Sequence, residues 1–247
     1  MTIVFESVRY PAGETQMHGR LFWDPARSDP LPGILVFPEG FGISEHTYEE
    51  AAQIAKLGYV TLACDLYGEA FFKNGPTPEL YQRNELTLSR LGLFGIGVSA
   101  LRFLTGQRRV DPHRIAACGY CLGATVAVEL ALQQAPILAV AGFHPSLEGL
   151  SLQRAAAVSC PVHLFMGAED YATPPEKRAT FERAFTGSGM DWRITVYGNV
   201  KHSYTNRYIQ GMGDRCAYDE EAHQHSLAQM YVLFQRELAK SRQGLET

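Results

Sequence analysis

Short apolar runs rich in β-branched residues alternate with stretches of helical periodicity along the whole chain. Ile3–Arg9 and Met17–Trp23 flank the turn-rich Pro-Ala-Gly-Glu and read as an opening hairpin. Ile34–Phe37 is continuously apolar; Tyr48, Ala51, Ala52 and Ala55 then recur at helical spacing, and Gly58 stands where that helix should end. Further strands are expected at Tyr59–Ala63, Arg114–Cys118, Leu138–Phe143, Val162–Met166 and Arg193–Tyr197. Helices are expected at Ser99–Leu104, Leu122–Gln133 and Pro174–Phe185, and a last one places Leu227, Met230, Tyr231, Phe234 and Leu238 on one face. Buried strands alternating with helices predict an α/β fold, a mostly parallel central sheet with helices on both faces. In such sheets the chemistry collects at the carboxyl ends of the strands.

Length and composition narrow this further. The 247 residues contain no repeat, low-complexity tract or long linker, so one domain spanning 1–247 is expected. Lys+Arg 22 against Asp+Glu 26, without a basic run, leaves no electrostatic footprint for nucleic acid or an acidic membrane. A small molecule is the expected partner, bound by a monomer or small homo-oligomer. The chain opens without a signal-peptide pattern and has no long uninterrupted apolar stretch, which predicts a soluble, cytoplasmic protein. The five cysteines, Cys64, Cys118, Cys121, Cys160 and Cys216, are odd in number and sparse. They fit a reducing compartment better than a disulfide framework.

One cysteine stands apart. The expected strand Arg-Ile-Ala-Ala-Cys runs into Gly119-Tyr-Cys121-Leu-Gly123 and then a helix, a G-x-C-x-G form of the strand–turn–helix nucleophile elbow. Glycine two residues either side removes side chains that would clash with the neighbouring strand and helix. Cys121 would then sit at a helix N-terminus, whose dipole favours a thiolate and whose first amide, Leu122, faces a developing oxyanion. Two other readings compete: a plain buried cysteine, and a Cys118-x-x-Cys121 thiol–disulfide site. The second is disfavoured because Cys118 ends an apolar strand and should face inward.

Nucleophile, acid and histidine follow in that chain order in α/β-hydrolases. Here Asp170 follows Val162–Met166 and His202 follows Arg193–Tyr197. His202 would act as general base and then acid, with Asp170 orienting its ring. Asp170 is preferred to Glu169. Helix capping, the other use for an acid here, is already met by Thr173-Pro-Pro-Glu176, with Thr173 as cap. His223 and His225 diverge on a helix, and no metal site or cofactor is expected. After Ile34–Phe37, Pro-Glu39-Gly40-Phe41-Gly opens a loop where Gly40 or Phe41 can present the second oxyanion amide. Glu39, between an apolar strand and a Gly-rich turn, is either an ordinary loop charge or a functional carboxylate. The aromatic-rich Leu66–Phe72 and Tyr81 are candidates for a pocket wall.

Gly-Tyr-Cys121-Leu-Gly, the Gly-Ala-Glu-Asp170 segment, His202-Ser203 and the Glu39-x-Phe-Gly run together resemble the dienelactone hydrolase family over almost the whole chain. The resemblance implies an α/β-hydrolase fold and a Cys-His-Asp triad acting on a lactone or activated ester through a thioester. It also implies a thiol-activating role for Glu39, and arginines that bind a substrate carboxylate. Arg83 and Arg207 are the candidates for that last task, with Ser203 and Tyr81 beside them. The family spacing puts one arginine a residue before Arg207, where this chain has Asn206. A general carboxylesterase or thioesterase on the same triad is the alternative enzyme. A thiol–disulfide oxidoreductase and a non-catalytic hydrolase-fold binding protein are the alternatives of other classes.

Overall fold

A computed structural model of the chain describes residues 2–27, 30–68, 78–209 and 213–239, with the side chains of residues 78–90 outside the description. Among these residues eight strands form one sheet: β1 (Val4–Ala12), β2 (Thr15–Trp23), β3 (Leu31–Phe37), β4 (Val60–Ala63), β5 (Val110–Tyr120), β6 (Val140–Phe143), β7 (Val162–Gly167) and β8 (Trp192–Tyr197). Their spatial order is β1-β2-β4-β3-β5-β6-β7-β8. The β1–β2 hairpin joins the sheet through an antiparallel β2–β4 pair, and every pair from β4 to β8 is parallel. The helices are α1 (Glu45–Lys56), α2 (Pro78–Thr105), α3 (Leu122–Leu132), α4 (Pro175–Phe185) and α5 (Glu220–Leu238).

Alternation along the strands builds two cores. Leu35, Phe37, Ile115, Ala117, Leu164 and Met166 pack on one side with residues of α2, α3 and α4. Ile34, Val36, Ala116, Cys118, Tyr120 and Phe165 pack with α1 and α5 on the other. Both faces of the sheet are thus dry, as the unbroken apolar strand runs require. Helix α3 is buried at every position from Gly123 to Leu132, which places the element leading away from Cys121 inside the protein.

Three expectations shift. Helix α2 extends far beyond Ser99–Leu104 and breaks only at Gly92, where φ is 66°. Its glycines look like loop signals, yet Gly97 lets α2 approach α3, where a Cβ would come within 2.8 Å of Leu130. Strand β5 begins at Val110, through an Asp-Pro that the polar pattern assigns to a loop, with a register shift opposite Pro32/Gly33. Helix α4 is capped by Pro174, not Thr173, whose hydroxyl is buried with no hydrogen bond among the described residues.

Candidate active site

Cys121 turns the chain from β5 into α3 at φ 52° and ψ −116°, a backbone conformation that residues with side chains rarely adopt. Two close approaches surround it: a Cβ on Gly119 would lie 2.3 Å from the Gly123 carbonyl, and one on Gly123 would lie 2.3 Å from the Pro38 carbonyl oxygen. The Cys121 N–H donates to Phe143 O and the Gly123 N–H to Pro38 O, each at 3.0 Å. Neighbouring strand ends therefore over-determine the turn and hold its strain.

His202 reaches this turn from the loop after β8. Its Nε2 lies 3.1 Å from Cys121 Sγ, and its Nδ1–H faces both oxygens of Asp170 at 2.9 and 2.8 Å. Asp170, on the loop after β7, also accepts the Ala172 N–H at 2.8 Å, whereas Glu169 is exposed. Burial on its own pushes the His202 imidazole down. Hydrogen bonds to Asp170 and Cys121 and their charges outweigh that burial and push it up to about 10.

The loop after β3 closes the other side. A Cβ on Gly40 would lie 3.9 Å from Leu122 Cβ, so the two residues are neighbours. Leu122 opens α3, and its N–H has no partner within the helix. The Gly42 N–H donates to Glu39 O at 2.9 Å, which fixes the peptide carrying the Gly40 N–H; the Tyr67 hydroxyl donates to Gly40 O and fixes the next one. Glu39 is 1% exposed. Its Oε2 accepts from Asn206 Nδ2 at 2.5 Å and lies 3.5 Å from His46 Nδ1. Oε1 has no hydrogen bond, and nothing joins the carboxylate to Cys121, among the described residues.

Of the candidate carboxylate-binding residues, only Arg207 and Ser203 lie among those whose side chains are described. Arg207 is half exposed and pairs with Glu49 at 3.4 Å. Ser203 is buried in the His202 loop. The side chains of Tyr81 and Arg83, and Leu66–Phe72 beyond Gly68, lie outside the described residues. Cys118 is fully buried in the second core, and burial pushes its thiol well up, which leaves it neither access nor charge for disulfide exchange. Residues given no such role by the sequence also border the site, Tyr67 having been marked only as part of an aromatic pocket wall and Asn206 only as standing in an arginine's place. Tyr67 pins the Gly40 loop, Asn206 holds Glu39, and the Tyr171 ring stands 5.2 Å from that of His202. Tyr171 adjoins Asp170, and Asn206 falls in the His202 loop; position alone flagged them, but neither residue type carries an expected role there.

A sheet of this order, with a tight turn after β5 and an acid and a histidine after β7 and β8, defines an α/β-hydrolase. The dienelactone hydrolase family pattern matches residues 18–238, and the chain belongs to that family, hydrolases of the ester- and lactone-cleaving type. The solved structure m3DLH is 32% identical, with a TM-score of 0.88 over 96% of this chain and 99% of that one. A dienelactone hydrolase-like promiscuous phosphotriesterase from metagenomic libraries is 30% identical, with the same TM-score over 96% and 99%. A carboxymethylenebutenolidase of a Pseudomonas strain is 31% identical over 62% of this chain and 66% of its own.

Proposed function

We propose that the protein cleaves a lactone or an activated carboxylic ester through Cys121, His202 and Asp170, by way of a thioester. The observation that carries this is the 3.1 Å contact between His202 Nε2 and Cys121 Sγ on a strained turn, with Asp170 behind the ring. The Cys121 sulfur attacks the carbonyl carbon, and the amides of Leu122 and Gly40 receive the oxyanion. Collapse expels the alkoxide, to which His202 gives its proton. His202 then takes a proton from water as that water attacks the thioester, and the acid leaves with Cys121 restored. Asp170 stabilises the imidazolium throughout. A thiolate also leaves readily, so the first intermediate reverts unless the alcohol departs easily. Enol lactones and aryl esters meet that condition, and amides do not.

The substrate's charge is the second question. Arg207 is committed to Glu49, and Asn206 gives its amide to Glu39, which favours an uncharged ester over an anionic lactone. A phosphotriester, the substrate class of one relative, is likewise uncharged and has a good leaving group. The test is hydrolysis of p-nitrophenyl acetate by variants. Cys121→Ala and His202→Ala should each lose on the order of a thousand-fold in kcat/KM, while Cys118→Ala keeps the wild-type rate. Activity that survives without His202 but vanishes with Cys118 refutes the triad. A parallel panel of lactones and aryl esters, with and without a carboxylate, should show no preference for the anionic members.

A further inference from the structure

His144 follows Phe143 at the carboxyl end of β6, and the proposed chemistry makes no use of it. Its backbone lies at φ 38°, strained for a residue with a side chain. The strain is held firmly, because its N–H donates to Phe165 O at 2.7 Å. The ring is fully buried; Nε2 lies 2.9 Å from Thr205 Oγ1, and Nδ1 has no hydrogen bond among the described residues. A strained backbone carrying a buried, half-satisfied titratable ring survives where its position matters to the surrounding site.

That position is against His202. The two oxygens of Asp170 fix the His202 ring at Nδ1, yet the tilt of the ring depends on what it packs against. Among the described residues two rings meet it: His144 at 5.0 Å and 72°, and Tyr171 at 5.2 Å and 63°. Tyr171 is 54% exposed, whereas His144 is closed in by Tyr204 at 5.4 Å and Tyr120 at 6.1 Å. The rigid support is therefore His144. Its charged and titratable surroundings come from every adjoining element: His202 with Asp170 from the loops after β8 and β7, Tyr204 from the His202 loop and Tyr120 from β5. His46 from α1, near Glu39, and His223 from α5, paired with Glu50, complete them. Burial first, then the positive charge of His202 and His46, pushes the His144 ring well down, so it stays neutral beside a charged His202.

We propose that His144 is a positioning residue for His202, a buried ring locked on a strained backbone that sets the tilt of the imidazole. This rests on the reading of Cys121 and His202 as nucleophile and base. The experiment follows the rate at which iodoacetamide alkylates Cys121 from about pH 5 to about pH 10, with kcat and KM for p-nitrophenyl acetate. Thermal unfolding runs alongside as a check on the fold. His144→Asn removes the ring but keeps a residue at ease with positive φ. It should lower kcat and the alkylation rate at low pH roughly tenfold, with KM changed less than about twofold. His144→Phe, which restores a ring, should recover most of that loss. Thr205→Val leaves the backbone untouched and frees Nε2, and should shift the alkylation profile in the same direction by a few-fold. Folded His144→Asn or Thr205→Val protein with the wild-type profile overturns the proposal, as does a His144→Phe no better than His144→Asn. His202→Ala in the same series separates the two readings: if it fails to slow alkylation the triad itself is wrong, and if it slows it while His144→Asn does not, only the role of His144 falls.

Discussion

Gly123→Ala places a single methyl group where the structure has no room for it. The Cβ would stand 2.3 Å from Pro38 O and 2.5 Å from Phe37 O, about 0.7 and about 0.5 Å inside the closest approach that real Cβ atoms tolerate. Both oxygens are backbone, so no side chain can rotate away. The same Pro38 O accepts the Gly123 N–H at 3.0 Å, so relieving the clash means separating the β3 loop from the Cys121 turn and losing that bond. Gly40 lies on one of these parts and Leu122 on the other, and the gap between their amides widens with the movement. A displacement approaching 1 Å in a reacting constellation costs on the order of a hundred-fold in rate. Overpacking of this kind destabilises by about 1–3 kcal/mol. The assay is kcat/KM for p-nitrophenyl acetate beside urea unfolding, with Gly198→Ala as control, since a Cβ there meets nothing within 4 Å. A folded Gly123→Ala protein within about threefold of wild type in kcat/KM would refute the argument that the glycine sets the spacing of the two amides.

Two further outcomes follow from the titrating groups. Because His202 is pushed up to about 10, its imidazolium should persist above the ordinary histidine range and lose its proton only near that value. Nitrogen-15 NMR of the ring reads this directly, Asp170→Asn should move the titration down, and a wild-type ring neutral at pH 7 contradicts it. Burial raises the Glu50 carboxyl, but hydrogen bonds and charge from His223, with His46 and Tyr120, bring it below its usual value. Its stabilisation is therefore present above the ordinary carboxylate range and lost as pH falls through the lowered value. Glu50→Gln should cost about 1–3 kcal/mol at neutral pH, with the difference from wild type shrinking in acid; a difference that grows in acid contradicts the sign.

The sequence made the site's backbone more legible than its walls. Gly119 and Gly123 announce the turn because no other residue fits against Pro38 O and the Gly123 carbonyl, and a steric demand of that kind leaves its mark in one-residue positions. The strands were visible for a similar reason, since burial on both faces demands unbroken apolar runs. Asn206 and His144 left no such mark, and Tyr67 showed only as one member of an aromatic-rich run. Their roles depend on contacts across the fold, Asn206 with Glu39 and His144 with His202, and nothing local constrains the residue type. Most of helix α2 was hidden because it carries three glycines in six residues, and one of them, Gly97, serves close packing against α3, a use that a turn-former's reading of glycine misses.

Cys121, Asp170 and His202 stand at the ends of β5, β7 and β8, and β8 is the outermost strand of its edge. A chain emerging from synthesis therefore carries Cys121 long before it carries His202, its proposed base. On the proposed triad, Cys121 stays without its base until that last strand docks. Recovery of esterase activity during refolding should accordingly lag every probe that reports the centre of the sheet.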